Sequence, residues 1–198
     1  MTDYLEYIKP LLQDCKPGTQ FHLPVNGDSM FPVIHSGDTV LITISPAGVI
    51  PLGSIVFALN GSDFIVHRLI HLVDSTAILK GDHLPRFDPP IAQKQILGII
   101  ERVYHRNTKT VVQLSGGFYL RITNQTNRLC GRIYQSSYTL LSRTKNKLGI
   151  KQQGLPAMVI RLLQKAACLF ARASALLYLP LESRRGYHEV ENPIHPQA

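Results

Sequence analysis

Between residues 21 and 114 the chain is written in short apolar runs, rich in Val and Ile, each cut off by Gly, Pro, Asp or Asn. The runs 40–44, 55–59, 64–73, 77–79, 96–105 and 110–114 have the length and β-branched content of strands. Between them stand turn sequences such as Asn60-Gly61-Ser62 and Asn107-Thr108-Lys109. Many short strands at close spacing argue against alternating α/β units and for a mainly β fold, a barrel or a sandwich.

The flanks follow a different period. Tyr4, Leu5, Ile8, Leu11 and Leu12 recur at helical spacing until Lys16-Pro17-Gly18, which predicts a short helix and linker over residues 1–20 ahead of a β domain at 21–114. Residues 115–198 form a basic helical appendage ending in a flexible tail. Within it, 118–142 is expected to be helical with loops, 143–154 a solvated linker and 155–179 a long helix. On that last helix Arg161, Lys165 and Arg172 fall within an arc of ~40° at 100° per residue, and nearly everything else is apolar or Ala. Such a helix either packs on the body of the protein or lies in a membrane surface, its cations among lipid phosphates. Spanning the bilayer would bury three cations.

Net charge sharpens this division. Residues 1–101 hold six Lys and Arg against ten Asp and Glu, whereas residues 102–181 hold thirteen Lys and Arg and no acid. A front half that is mildly acidic and a back half that is strongly basic point to an anionic partner surface. An anionic membrane fits better than nucleic acid, because no RNP-like motif or recognition helix is visible. Cys15, Cys130 and Cys168 are odd in number and form no CxxC pair, which argues against a disulfide framework or structural zinc. The first residues are acidic and lack the basic start of a secretory signal, and no uncharged apolar run reaches the ~18 residues of a spanning helix. A cytoplasmic protein, peripherally membrane-associated at most, is expected.

The most informative stretch is Val25-Asn26-Gly27-Asp28-Ser29-Met30-Phe31-Pro32, followed by Gly37-Asp38 at the head of a strand. By its chemistry Ser29 is a loop serine beside permissive glycine backbone, a place where a hydroxyl is presented and amide N–H groups are left open. It is not a hydrolase elbow, since Phe31 stands where that turn needs Gly. Two further blocks follow: Val66-His67-Arg68 inside a strand, and Lys80-Gly81-Asp82 with Asp88 six residues on. His67, His71, His83 and Asp82 also raise the thought of a metal site. Strand histidines are more often half-buried packing residues, and no cysteine or Glu converges, so neither metal nor cofactor is expected.

Ser-Met-x-Pro with Gly-Asp, then Val-His-Arg, then Lys-Gly-Asp, in that order over residues 24–104, resembles the serine peptidases that unite signal peptidases with LexA-like repressor peptidases. The base of most bacterial signal peptidases and of the LexA-like group is Lys. Here it is His67, as in the endoplasmic-reticulum type of signal peptidase. The resemblance therefore implies a signal-peptidase-like β domain with Ser29 as nucleophile, His67 as general base and Asp88 as the carboxylate behind it. Asp82 would be a structural partner of Asp88, and Asp38 a turn residue ordering the loop after Ser29. Gly27 stands where signal peptidases commonly carry a Ser whose hydroxyl helps hold the oxyanion, and Ser54 stands where the family usually has Asp. With 28 residues ahead of Ser29, neither an anchoring helix nor a DNA-binding domain is expected before it. The implied function is an endopeptidase acting on a peptide or protein substrate. The alternative is an inactive peptidase fold that docks on anionic membrane or nucleic acid.

Overall fold

Val40, Ile42 and Ile44 alternate with Leu41 and Thr43, and the two sets are buried in different places. The first joins a core cluster with Met30, Val33, Ile34, Ile55, Phe57, Ile100 and Val103, whereas Leu41 packs with Tyr104 and Val111 on the opposite face. The same alternation sends Val56 and Ala58 into a second cluster with Leu69, Leu79, Ile91 and Ile96. Period-two sequences of this kind specify strands covered on both faces.

The computed structural model describes residues 15–44, 50–114 and 117–148, with side chains of the helix over 120–139, and the helical, exposed residues Leu162, Lys165, Ala166, Leu169, Phe170 and Ala173. The strands are β1 (Gln20–Pro24), β2 (Thr39–Ile44), β3 (Ile55–Asn60), β4 (Asp63–Val73), β5 (Thr76–Lys80), β6 (Ile91–Ala92), β7 (Ile96–His105) and β8 (Thr110–Gln113). They form one curled antiparallel sheet in the order β1-β2-β7-β3-β4-β5-β6, with β8 added to β7. Register shifts at Leu41/Ile42, Phe57/Ala58 and Leu69/His71 mark the positions where extra residues increase twist and help the sheet to curl. A long helix, α1 (Gly117–Leu148), follows β8.

Each of the six strand-like runs is a strand, shifted by no more than a residue at either end. Two strands are additional. β1 pairs along its whole length with β2 but is short and closed by Pro24, and β6 has two residues. The helix also runs further than its polarity suggests, through 143–148. That segment is polar but contains neither Gly nor Pro, so nothing in it stops a helix already under way. The helix expected near the N-terminus lies outside the described residues, as does most of the one expected at 155–179. Among the described residues no helix is long and apolar enough to cross a membrane.

Candidate active site

Ser29 lies in the loop between β1 and β2, and the loop is tied down at both ends. Val25 N–H donates to the Asp38 carbonyl and Gly37 N–H to the Val25 carbonyl, closing its neck. Met30, 2% exposed, plugs the core directly after Ser29. Ser29 itself is half-buried. Among the described residues neither its N–H nor that of Met30 donates a hydrogen bond.

Asp38 anchors the far end of this loop. Its Oδ2 accepts from the His35 N–H and from His105 Nδ1, both at 2.8 Å, and its Oδ1 accepts from the Arg106 N–H at 3.0 Å. Burial raises the carboxyl pKa, but the His105 side chain and those two amides together outweigh it and hold the group below its ordinary value of 3.8. His35, Asp38 and His105 are also the one group of metal-ligand type gathered among the described residues. The hydrogen bonds on both Asp38 oxygens account for the gathering. His67, His71, His83 and Asp82 are not drawn together in this way.

His67 is on β4, opposite Val56 of β3, and is 7% exposed. Its Nε2 is 3.0 Å from Ser29 Oγ, and its Nδ1 is 2.5 Å from Asp88 Oδ2. Asp88 is fixed through its backbone, whose N–H donates to the Leu79 carbonyl of β5 at 2.9 Å. Three segments distant in sequence thus place a hydroxyl, an imidazole and a carboxylate in line. Such a line is the geometry that lets a hydroxyl proton move to Nε2 while a carboxylate holds the Nδ1 proton.

Beneath the line runs a buried polar network. The next residue on β4, Arg68, is 0% exposed and grips Asp82 with two guanidinium nitrogens, at 2.8 and 2.6 Å. Its third nitrogen donates to the Gly53 carbonyl and to Thr123 of α1. Asn127, one turn further along α1, donates to Asp82 at 3.0 Å and accepts from Lys80 Nζ at 2.7 Å. Asp82 therefore bonds to Arg68 and α1, and the carboxylate on His67 is that of Asp88.

Gly81 approaches the serine loop itself. A Cβ there would stand 2.6 Å from the Ser29 carbonyl oxygen, which accepts from the His83 N–H at 2.8 Å. Only a bare backbone lets the Lys80–Gly81–Asp82 turn press on the serine loop in this way. Gly27 differs in kind: its φ of +113° disfavours any side chain, although a Cβ would meet nothing within 4 Å. A serine at 27 would be strained by its backbone alone.

Sequence reasoning named Arg68, Lys80 and Gly81 within motif blocks but gave them no task. It missed Thr123 and Asn127, whose i, i+4 spacing on a polar helix carries no distinctive signal. Of the cationic stripe, Lys165 is described, helical and exposed, and Arg161 and Arg172 lie outside the described residues.

No curated protein matches the chain significantly. The family model described as Peptidase S24-like matches residues 2–103, a span that contains Ser29, His67 and Asp88. With over half its length matched, and a β-dominated fold of the corresponding kind, the chain belongs to the Peptidase S24-like family of serine peptidases.

Proposed function

We propose that this protein is a serine endopeptidase of the signal peptidase type, using Ser29, His67 and Asp88 on an extended peptide segment. The observation that carries the reading is the unbroken line Ser29 Oγ, His67 Nε2, His67 Nδ1, Asp88 Oδ2, at 3.0 and 2.5 Å. An imidazole has an ordinary pKa near ~6.5 and in neutral form accepts the hydroxyl proton directly. As that proton reaches Nε2, Ser29 Oγ bonds to the peptide carbonyl carbon, and its oxygen takes up negative charge facing the N–H groups of Ser29 and Met30. His67 then protonates the departing amine, leaving an acyl-serine that water hydrolyses by the reverse proton path. Asp88 keeps the imidazole in the tautomer with Nε2 free and stabilises the imidazolium. Two backbone amides replace the hydroxyl that Gly27 lacks.

The test is turnover of a quenched-fluorescent peptide library by wild type, Ser29→Ala and Asp88→Asn. Activity in wild type that disappears in Ser29→Ala supports the reading, and equal activity in the two sinks it. A second reading keeps the fold and makes the basic C-terminal half a docking device for anionic membrane. Leu162, Leu169 and Phe170 favour it, being 56–61% exposed on helix beside Lys165. Co-sedimentation with phosphatidylserine vesicles that weakens in salt supports it, and equal recovery with neutral vesicles overturns it.

A further inference from the structure

Asp88 also lines a cleft of about 820 Å³ that neither Ser29 nor His67 lines. Arg86 reaches it from the Asp88 loop, His71 from β4, and Arg128 and Arg132 from α1. Among the described residues none of these three arginines forms an ion pair. The one carboxylate in the lining is that of Asp88, already engaged by His67. Arg128 and Arg132 are a helical turn apart, an arrangement in which like charges repel. Burial first, and then the charges of Arg128 and Arg132, push the His71 pKa below its ordinary 6.5. The cleft wall is built for close fit, with the Phe87 ring packed over Gly131 of α1, where a Cβ would meet it at 2.2 Å.

We propose that this cleft binds an acidic stretch of a peptide, its carboxylates on Arg86, Arg128 and Arg132 and its apolar atoms against Leu84 and Pro89. The ligand's being a peptide rests on the peptidase reading of the neighbouring site; its charge follows from the cleft. Uncompensated guanidinium groups are forks suited to carboxylates. The alternatives fit less well. A concave cleft suits a chain better than a flat lipid leaflet, and a single-stranded nucleic acid wants open aromatic faces, whereas Phe87 is taken up by Gly131. Asp88 stands one imidazole away from Ser29 and also lines the cleft, so the two sites are neighbours. An acidic stretch in the peptide is therefore the specificity this cleft would select.

The experiment uses full-length Ser29→Ala protein, which cannot cut, and a short fluorescein-labelled peptide rich in glutamate and alanine. Fluorescence anisotropy should show salt-sensitive binding that Arg128→Gln/Arg132→Gln weakens at least ~tenfold. Arg121→Gln, on the same helix but outside the cleft, should leave it unchanged. The glutamine counterpart of the peptide should bind at background, and the His71 pKa, followed by NMR, should rise on peptide binding. Equal affinity for the glutamine peptide, or no loss in the double variant, overturns the proposal. So does retention of duplex DNA or anionic vesicles, lost in the double variant, without peptide binding. Because binding is measured without turnover, a wild-type Ser29 that proves unreactive removes the peptidase reading and leaves the cleft's charge selectivity standing.

Discussion

A histidine and a lysine meet the demands of a general base with different surroundings. The amine must be stripped of solvent to lose its proton, whereas the imidazole must be held in one tautomer, and Asp88 at 2.5 Å from Nδ1 does the holding. A lysine at 67 would meet that carboxylate and stay charged, so His67→Lys should be as inactive as His67→Ala in the peptide-cleavage assay. Asp88→Asn should lower kcat by about 10⁴-fold, on the scale of other triads, with KM nearly unchanged. A KM effect of that size with kcat intact would mean that Asp88 binds substrate instead. Gly81→Ala has no charge to remove, yet its methyl would push the Ser29 carbonyl from 2.6 Å. Overpacking of this kind costs about 1–3 kcal/mol, and the larger loss should be in activity, since the nucleophile's own backbone must move. Ser29, His67 and Asp88 were legible through three motif blocks and the resemblance they carry. The task of Gly81 was not, because a sequence records that a glycine stands there and not which carbonyl lies above it.

Strands and helix meet at Arg68, which is why β4 is the element on which the site depends. One residue of β4 faces Ser29, and the next binds Asp82 and Thr123 out of solvent. Removing one partner of a buried ion pair strands the other, so Asp82→Ala should lose about 3–5 kcal/mol in urea unfolding. A loss below about 1 kcal/mol would show that Arg68 finds water or another acceptor. The serine loop carries its own pH dependence. Asp38 has a folded-state pKa below 3.8, so its contribution is full above the unfolded value and is lost as pH falls through the folded one. Thermal melts should therefore steepen their decline below about pH 4 in wild type, and less so in Asp38→Asn, which starts out less stable. Runs rich in β-branched residues made six of the strands readable. β1 and β6 were not: Gln20–Pro24 holds no Val, Ile or Thr and ends on Pro24, and β6 has two residues, so each is defined by its partner more than by its own pattern. α1 was readable as helical but not as part of the site, since Thr123 and Asn127 gain meaning only when Arg68 and Asp82 face them.

Across the whole molecule, net charge divides the chain into an acidic first half and a basic stretch behind it. The acidic first half contains Ser29, His67, Asp88 and the match to the family, whereas α1 belongs to the basic half. Yet α1 serves both: Thr123 and Asn127 bind the network under the triad, while Arg128 and Arg132 line the cleft beside it. Basic residues that read in the sequence as a docking surface for an anionic partner line, in part, the same cleft as Asp88. The central claim is that Ser29 is a nucleophile activated by His67, and it has a direct chemical test. Wild type, Ser29→Ala and His67→Ala are exposed to a fluorophosphonate and the adduct is located by mass spectrometry. Rapid labelling confined to Ser29, absent in Ser29→Ala and at least ~100-fold slower in His67→Ala, is the expected result. No adduct on folded wild type, or labelling as fast without His67 as with it, would contradict it.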